Sequence, residues 1–321
     1  MADRLSDLSY HGYSGPTIGL RSRWLVIARA SWRSVFKKKG FWVLTVFGSW
    51  YYLALISFLY VLEQMGAAQK ATQITSQILD RMVWKDQFLS GLTYSQLVYM
   101  AIGLLVGAGA VANDNGSNAL LVYLSKPCRK IDYLVGKWAG IFLPILVGVG
   151  LPVVFFYLYG LLNYRDYGFL SQDPWMGAKL AGWILTVAVF QSSVFLGVSS
   201  LFRQGRTAGA AFSAGYFLLS FFSFLMFAAW AVGSGGLRHR KGNPALVDTA
   251  ERLYHLTYDG LQTGLAKNLL GTDGSAPFAS GGNMPQMHAP PLQVIVVPIA
   301  VIACLALLVA WKKVKAVEVV K

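Results

Sequence analysis

Charge is what this sequence has least of. Asp, Glu, Lys and Arg make up 13% of 321 residues, where a soluble globular domain carries about 25%, and the mean hydropathy is +0.49. That balance excludes an ordinary water-soluble core-and-shell domain. Cysteine is nearly absent too. Cys128 and Cys304 stand far apart in different surroundings, so no disulfide framework is expected. Of the four histidines, His11, His239, His255 and His288, none has a Cys, Asp or Glu at metal-ligand spacing, and no metal site is expected. There is no GxxxxGK followed by Ser or Thr to cradle nucleotide phosphates. HGYSGP near the start is not GxSxG, and no Ser/His pair lies within the apolar runs. These absences argue against catalysis by the chain itself, including a lipid-acting membrane enzyme.

What is abundant is uninterrupted apolar sequence. Residues 41–62, 92–112, 138–162, 180–202, 207–232 and 291–311 contain no Asp, Glu, Lys or Arg. Each is long enough to cross the hydrocarbon layer, which takes about 20 residues of helix. The expectation is an all-α polytopic membrane protein with six transmembrane helices. The first 39 residues hold no short apolar core with a small-residue cleavage site, so no removable signal peptide is expected and the first span serves as its own insertion signal. Ion-driven carriers hold acidic or basic groups near the midplane, and these spans have none; energy for any transport must come from elsewhere. The strongest polar feature inside them, Gln191-Ser192-Ser193, suits interhelical hydrogen bonding.

The cations fix a topology. Of 28 Lys and Arg, eighteen lie before span one, between spans two and three, in the RQGR turn between spans four and five, or after span six. The short loops of the other side hold five, and the long 233–290 segment, exempt from the charge bias, holds the rest. Both termini and the span 2–3 loop are thus expected in the cytoplasm. The same asymmetry explains the net charge of +14 without invoking nucleic acid.

Residues 1–40 comprise a polar tail and the stretch RSRWLVIARASWRSVFKKKG. On a helical wheel Trp24, Leu25, Ala28, Trp32, Val35 and Phe36 share a face, and Arg29, Arg33 and Lys37 follow at i, i+4 on its flank. That pattern suits a helix lying in the interface of the lipid bilayer, tryptophans among the headgroups and cations against anionic lipid. Residues 41–232 hold spans one to five, with a polar hairpin at 63–91 and a cytoplasmic loop at 113–137. Span two carries Gly103 and Gly107 at GxxxG spacing, which permits close helix approach. Span three carries Pro144 and Pro152, and span six Pro298, each inviting a kink. In 233–290, Leu246, Ala250, Leu253, Thr257, Leu261, Leu265 and Leu269 recur every three or four residues. They mark an external amphipathic helix, or a broken pair hinged near Gly260, with 246–270 as a candidate surface for an external partner. Residues 291–321 are span six and a basic tail.

The loop between spans two and three has a grammar of its own. Asp114 to Asn118 is a polar break, Ala119 to Leu124 a short apolar run, and Pro127 a stop. Arg129 and Lys130 hold it in the cytoplasm. Asp132 and Tyr133 open the next helix, an acid being favourable at a positive N-terminus, and Lys137 reaches toward the headgroups. An apolar knob with a polar rim suits a protein partner.

This stretch resembles the corresponding loop of ABC type-2 exporter permeases, in the branch that runs roughly D-x-x-x-N-A-L-x-x-Y-x-S-x-P-x-x-x-x-D-Y-x-x-G-K. The matching residues are Asp114, Asn118, Ala119, Leu120, Tyr123, Ser125, Pro127, Asp132, Tyr133, Gly136 and Lys137. The commoner form has Gly-Thr followed two residues on by Glu, where this chain has Asn118-Ala119 and Leu121. LFRQGRTAG between spans four and five also looks familial. The resemblance implies a non-catalytic permease subunit of an exporter in a bacterial cytoplasmic membrane, paired with a second permease subunit and two ATPases that carry the ATP and Mg. Trp24 to Lys37 would be the connecting helix, and the loop would hold the coupling helix that docks on the ATPase. A membrane scaffold moved by the same ATPases for mechanical work, with no substrate crossing, fits the same loop.

Overall fold

Inside a bilayer each backbone N–H and C=O must be satisfied within its own segment, so long apolar runs become helices. The computed structural model describes residues 23–66, 78–79, 82–119, 129–165, 168–234, 243–274 and 287–314, and among these there is no strand. The protein is an all-α polytopic membrane protein. Helix α1 (Arg23–Phe36) leads into α2 (Lys39–Gly48) and α3 (Trp50–Gly66). Next come α4 (Trp84–Tyr94), α5 (Gln96–Gly107), the short α6 (Ala112–Gly116), α7 (Lys130–Asn163), α8 (Met176–Ser200) and α9 (Gly205–Gly233). Helices α10 (Pro244–His255), α11 (Tyr258–Leu270) and α12 (Leu292–Lys313) follow.

Five helical stretches, 96–116, α7, α8, α9 and α12, are each long and apolar enough to cross a membrane. The pair α2–α3 makes a sixth span, bent by 53°. The bend falls at Gly48–Ser49, where the Ser49 hydroxyl donates to the Thr45 carbonyl at 3.0 Å. Gly/Ser pairs and hydroxyls inserted into the helical ladder are ordinary causes of a sharp kink, so the first span is not the straight rod its composition suggests. Pro144 and Pro152, by contrast, sit inside one continuous α7 of 34 residues. At 1.5 Å per residue that is about 50 Å, well beyond the hydrocarbon layer, and α7 accordingly carries contacts at both ends of the bundle. Helix α1 lies against its first turns, α2 and α8 flank it, and α8 packs in turn on α12.

The GxxxG spacing has a definite partner. A Cβ placed on Gly103 would fall 2.0 Å from the Phe195 ring of α8, and one on Gly107 would fall 2.6 Å from Phe195 Cβ. The two glycines form the slot that Phe195, 1% exposed, occupies.

The segment between spans five and six departs most from expectation. It is a hairpin that enters the bundle, not a helix resting outside it. Helix α10 starts beside the end of α9, where Asn243 N–H donates to the Gly233 carbonyl at 2.9 Å. It then follows α9 inward: Trp230 Nε1 donates to Glu251 at 2.9 Å, and Ser223 and Thr257 share a hydrogen bond at 3.1 Å. The chain reverses at Leu256–Thr257, where the Thr257 hydroxyl caps α11 by accepting from Gly260 N–H. Gly260 is required because a Cβ there would sit 1.9 Å from the Tyr254 carbonyl. Helix α11 returns along α8, its Gln262 carbonyl accepting from Trp183 Nε1 at 2.9 Å and its Gln262 Oε1 from Gln191 Nε2 at 3.1 Å. Gln191 is fifteen residues into α8, about 22 Å along it, so the tip reaches mid-bundle.

Two expectations are corrected by this hairpin. Leu261, Leu265 and Leu270 are buried against the spans, so α11's leucine face is not available to an external partner; Leu246 of α10 and Leu256 in the turn after it stay exposed. The apolar runs of the spans carry no Asp, Glu, Lys or Arg, yet the hairpin brings a carboxylate among them. Asp259 Oδ2 accepts from Tyr216 Oη of α9 at 2.8 Å and from Ser220 at 3.4 Å.

Gly103→Val drives two methyl groups into the Phe195 ring and should destabilise the fold by about 2–3 kcal/mol. Gly182→Ala, with nothing within 4 Å of the added carbon, should leave the fold as stable or more so. Thermal unfolding of the purified variants in detergent checks the pair; equal midpoints would sink the packing argument.

Candidate functional site

The site begins where span two ends. Helix α5 loses its regular ladder at Gly107, and the freed backbone groups need partners. Ser199, near the end of α8, supplies three contacts. Its hydroxyl oxygen accepts from Val111 N–H and Ala112 N–H, both at 3.0 Å, and its proton goes to the Ala108 carbonyl at 2.8 Å. Two asparagines then fasten α6 to the turn between spans four and five. Asn115 Nδ2 donates to the Phe202 carbonyl at 3.0 Å, and Asn113 Oδ1 accepts from Gly205 N–H at 2.9 Å. The backbones come so close that a Cβ on Gly116 would lie 2.2 Å from the Arg203 carbonyl.

Asp114 faces the other way, toward span three. Its Oδ2 accepts from Tyr133 Oη at 2.8 Å and pairs with Lys137 Nζ at 2.7 Å. Both side chains of the ion pair are less than one-fifth exposed, and the Lys137 ammonium also lies 5.7 Å from the centre of the Tyr133 ring. Lys137 is therefore committed to Asp114; it does not reach for headgroups as its position in the sequence suggests. Asp132 caps α7, accepting from Arg129 N–H at 3.2 Å. Two residues earlier, at the start of α7, the Lys130 ammonium lies over the Trp311 ring of α12 at 4.6 Å, which ties span six to the same end of the bundle.

Helix α1 closes the site from the side. A Cβ on Gly136 would lie 2.7 Å from the Trp24 carbonyl, and one on Gly140 would lie 2.7 Å from Ser31 Cβ. Trp32 Nε1 donates to the Ala139 carbonyl at 2.8 Å. The indole of Trp32 is thus bonded into span three, whereas Arg29, Arg33 and Lys37 are exposed on the opposite flank.

The structure brings together Asp114, Tyr133 and Lys137, and sets Gly136 against the helix that carries Trp24 and Trp32. Asp132 acts locally. Asn118 and Ala119 lie at the end of the span two foot, and Leu120, Tyr123, Ser125 and Pro127 fall outside the described residues. Asn118 has φ 54°, a left-handed conformation that Asn tolerates far better than other side chains with a Cβ. The commoner Gly at this position would do the same, so the departure preserves the turn. Sequence reasoning missed Asn113, Asn115, Ser199 and Gly205. The available signal was a pair of amides closing an apolar run, with a Gly-containing turn elsewhere to receive them.

Two outcomes follow. Asn118→Gly should be neutral within about 0.5 kcal/mol, whereas Asn118→Val should cost about 1–2 kcal/mol because a β-branched residue resists the left-handed region. Asp114→Asn leaves the mostly buried Lys137 without its counter-charge and should cost about 2 kcal/mol, with Asp114→Asn/Lys137→Gln less harmful than the single change. Thermal unfolding across both series reads each difference.

A comparison with curated proteins finds no match. The family model for ABC-2 family transporter protein matches residues 25–313, from the third residue of α1 through the last of α12. With that match spanning nearly all of α1, every span and the hairpin, the chain belongs to the ABC-2 transporter family.

Proposed function

We propose that this chain is the permease subunit of an ATP-driven exporter in a bacterial cytoplasmic membrane, moved by separate ATPase subunits that dock on residues 119–128. Membership of the family supports a transporter permease; the direction of transport and the docking are our reading. One observation carries it. Both anchors of the 119–128 segment are rigid: on one side the span two foot is bonded to the 203–205 turn, and on the other the first turns of α7 are bonded back to that foot through Asp114, Tyr133 and Lys137. A force on the short segment is delivered to spans two, three, four and five together.

In this reading two ATPases and a second permease subunit, identical or related, complete the complex. Both chain ends and the α1 end of the bundle face the cytoplasm. The chain binds no nucleotide; ATP and Mg sit on the ATPases. Closure of the ATPase pair moves the segment, and the spans re-aim to open a path outward. Coupling of this kind requires that the two nucleotide states contact the segment differently. Asp114, Asn118 and Ala119 shape one anchor, Asp132, Tyr133, Gly136 and Lys137 the other, and Leu120 and Tyr123 make the contact.

Losing a buried aromatic anchor at a protein interface costs about 2 kcal/mol or more, roughly 30-fold in affinity. Tyr123→Ala and Leu120→Ala should therefore strip the cassette ATPase from the co-purified complex and abolish permease-stimulated ATP hydrolysis, while the unfolding midpoint of the chain stays put. Wild-type co-purification and hydrolysis in both variants would remove the assignment.

A further inference from the structure

A cavity of about 670 Å³ opens at the α1 end of the bundle, between α1, the end of span two and the feet of α7 and α9. Its size falls within the range of small-molecule sites. The composition of its wall is polarised. Leu104, Leu105 and Ile141 make an apolar floor, while Lys38, Lys137 and Arg206 stand among its lining residues with Ser31 and Ser34. No carboxylate lines it. The three cations come from three separate places, the turn between α1 and α2, span three and the first turn of span five, so a single helix face does not account for their convergence. Lys137 is partly neutralised by Asp114. Lys38 and Arg206 have no ion-pair partner among the described residues.

An excess of cations on this side satisfies the topology rule wherever they fall. That rule places charges on a side of the membrane; it does not gather them around an apolar hollow. The arrangement instead matches the chemistry of an amphiphile with an anionic phosphate head. Guanidinium and ammonium groups recognise phosphate oxygens by charge-assisted hydrogen bonds, hydroxyls complete the shell, and an apolar floor takes hydrocarbon. Basic pockets between membrane helices bind anionic headgroups in this way.

We infer that this cavity binds an anionic phospholipid drawn from the surrounding leaflet, its phosphate held between Lys38 and Arg206 and its acyl chains against Leu104, Leu105 and Ile141. The lipid would wedge between α1 and spans two and five, the elements that hold the span two foot. The inference leans on the membrane architecture alone, so it stands or falls separately from the docking of an ATPase.

The test uses the full chain in phosphatidylcholine nanodiscs and a photo-crosslinkable phosphatidylglycerol as probe. Wild-type protein should capture the probe saturably, with crosslinks mapped to α1 and span two. Lys38→Gln/Arg206→Gln should weaken capture by about 30-fold, roughly fivefold per cation, and Lys38→Arg/Arg206→Lys should retain it. Ser34→Leu, which fills the wall without altering charge, should also reduce capture. Lys312→Gln/Lys313→Gln, which removes two cations outside the cavity, should not. Equal capture by the Lys38/Arg206 double variant, equal capture of a phosphatidylcholine probe, or a matching loss in the Lys312/Lys313 variant would overturn the site. Displacement of the probe by millimolar inorganic phosphate would reassign it to a soluble anion and overturn the lipid.

Discussion

A membrane-embedded helix cannot stop without finding partners for the backbone groups it releases, and the rest of this structure is arranged around one such stop. The ladder of span two breaks after Gly107, and the groups it frees are captured by Ser199, while Asn113 and Asn115 tie the continuation to the turn between spans four and five. Those bonds stabilise the break and at the same time decide what span two is attached to. A water-soluble helix could have frayed into solvent here. Here the amides of Val111 and Ala112 are buried and are shared with Ser199 of a neighbouring span, and the asparagines beyond them reach the 203–205 turn, so the foot of one span becomes a joint between three.

The ion pair between Asp114 and Lys137 extends the same joint to span three. Its two side chains are mostly covered, which makes separating them costly, and Tyr133 fixes the carboxylate's orientation through its hydroxyl. Glycines at 136 and 140 then let α1 lie directly on the helix that carries Lys137. The amphipathic helix is thereby built into the bundle. One face is bonded into span three through Trp32, the other keeps Arg29, Arg33 and Lys37 in the open.

Much of this was legible in advance where a single physical rule dominates. The apolar runs marked the spans because nothing but helix satisfies backbone in lipid, and the spacing of Asp114, Tyr133 and Lys137 marked the loop. The sequence misled where two distant segments act together. Lys137 reads as a headgroup cation until Asp114 is seen beside it. The leucine repeat of 246–269 reads as a surface helix because its polar residues suggest water on the other side; in fact Gln262 and Asp259 face Gln191 and Tyr216 of the spans. Polar residues on a membrane hairpin and polar residues on a solvated helix give the same periodicity. Only the complementary amide in α8, whose significance is invisible without the fold, tells them apart.

The two ends of the molecule are joined by the same rods. Helices α8 and α9 carry, at one end, Ser199 and the 203–205 turn that grip the span two foot, and at mid-length Gln191 and Tyr216, which hold the hairpin tip. Both are continuous helices of 25 and 29 residues, without the broken joint found in span one. A stiff helix transmits displacement, whereas a flexible connection absorbs it. The grip on span two and the seat of the hairpin are therefore mechanically in series. Any rearrangement that tilts α8 against α9 at the foot must either carry the hairpin with it or break the Gln191–Gln262 and Tyr216–Asp259 bonds. Those bonds are buried among apolar side chains, where an unpaired amide or carboxylate costs more than in water, and moving the hairpin as a unit is the cheaper response.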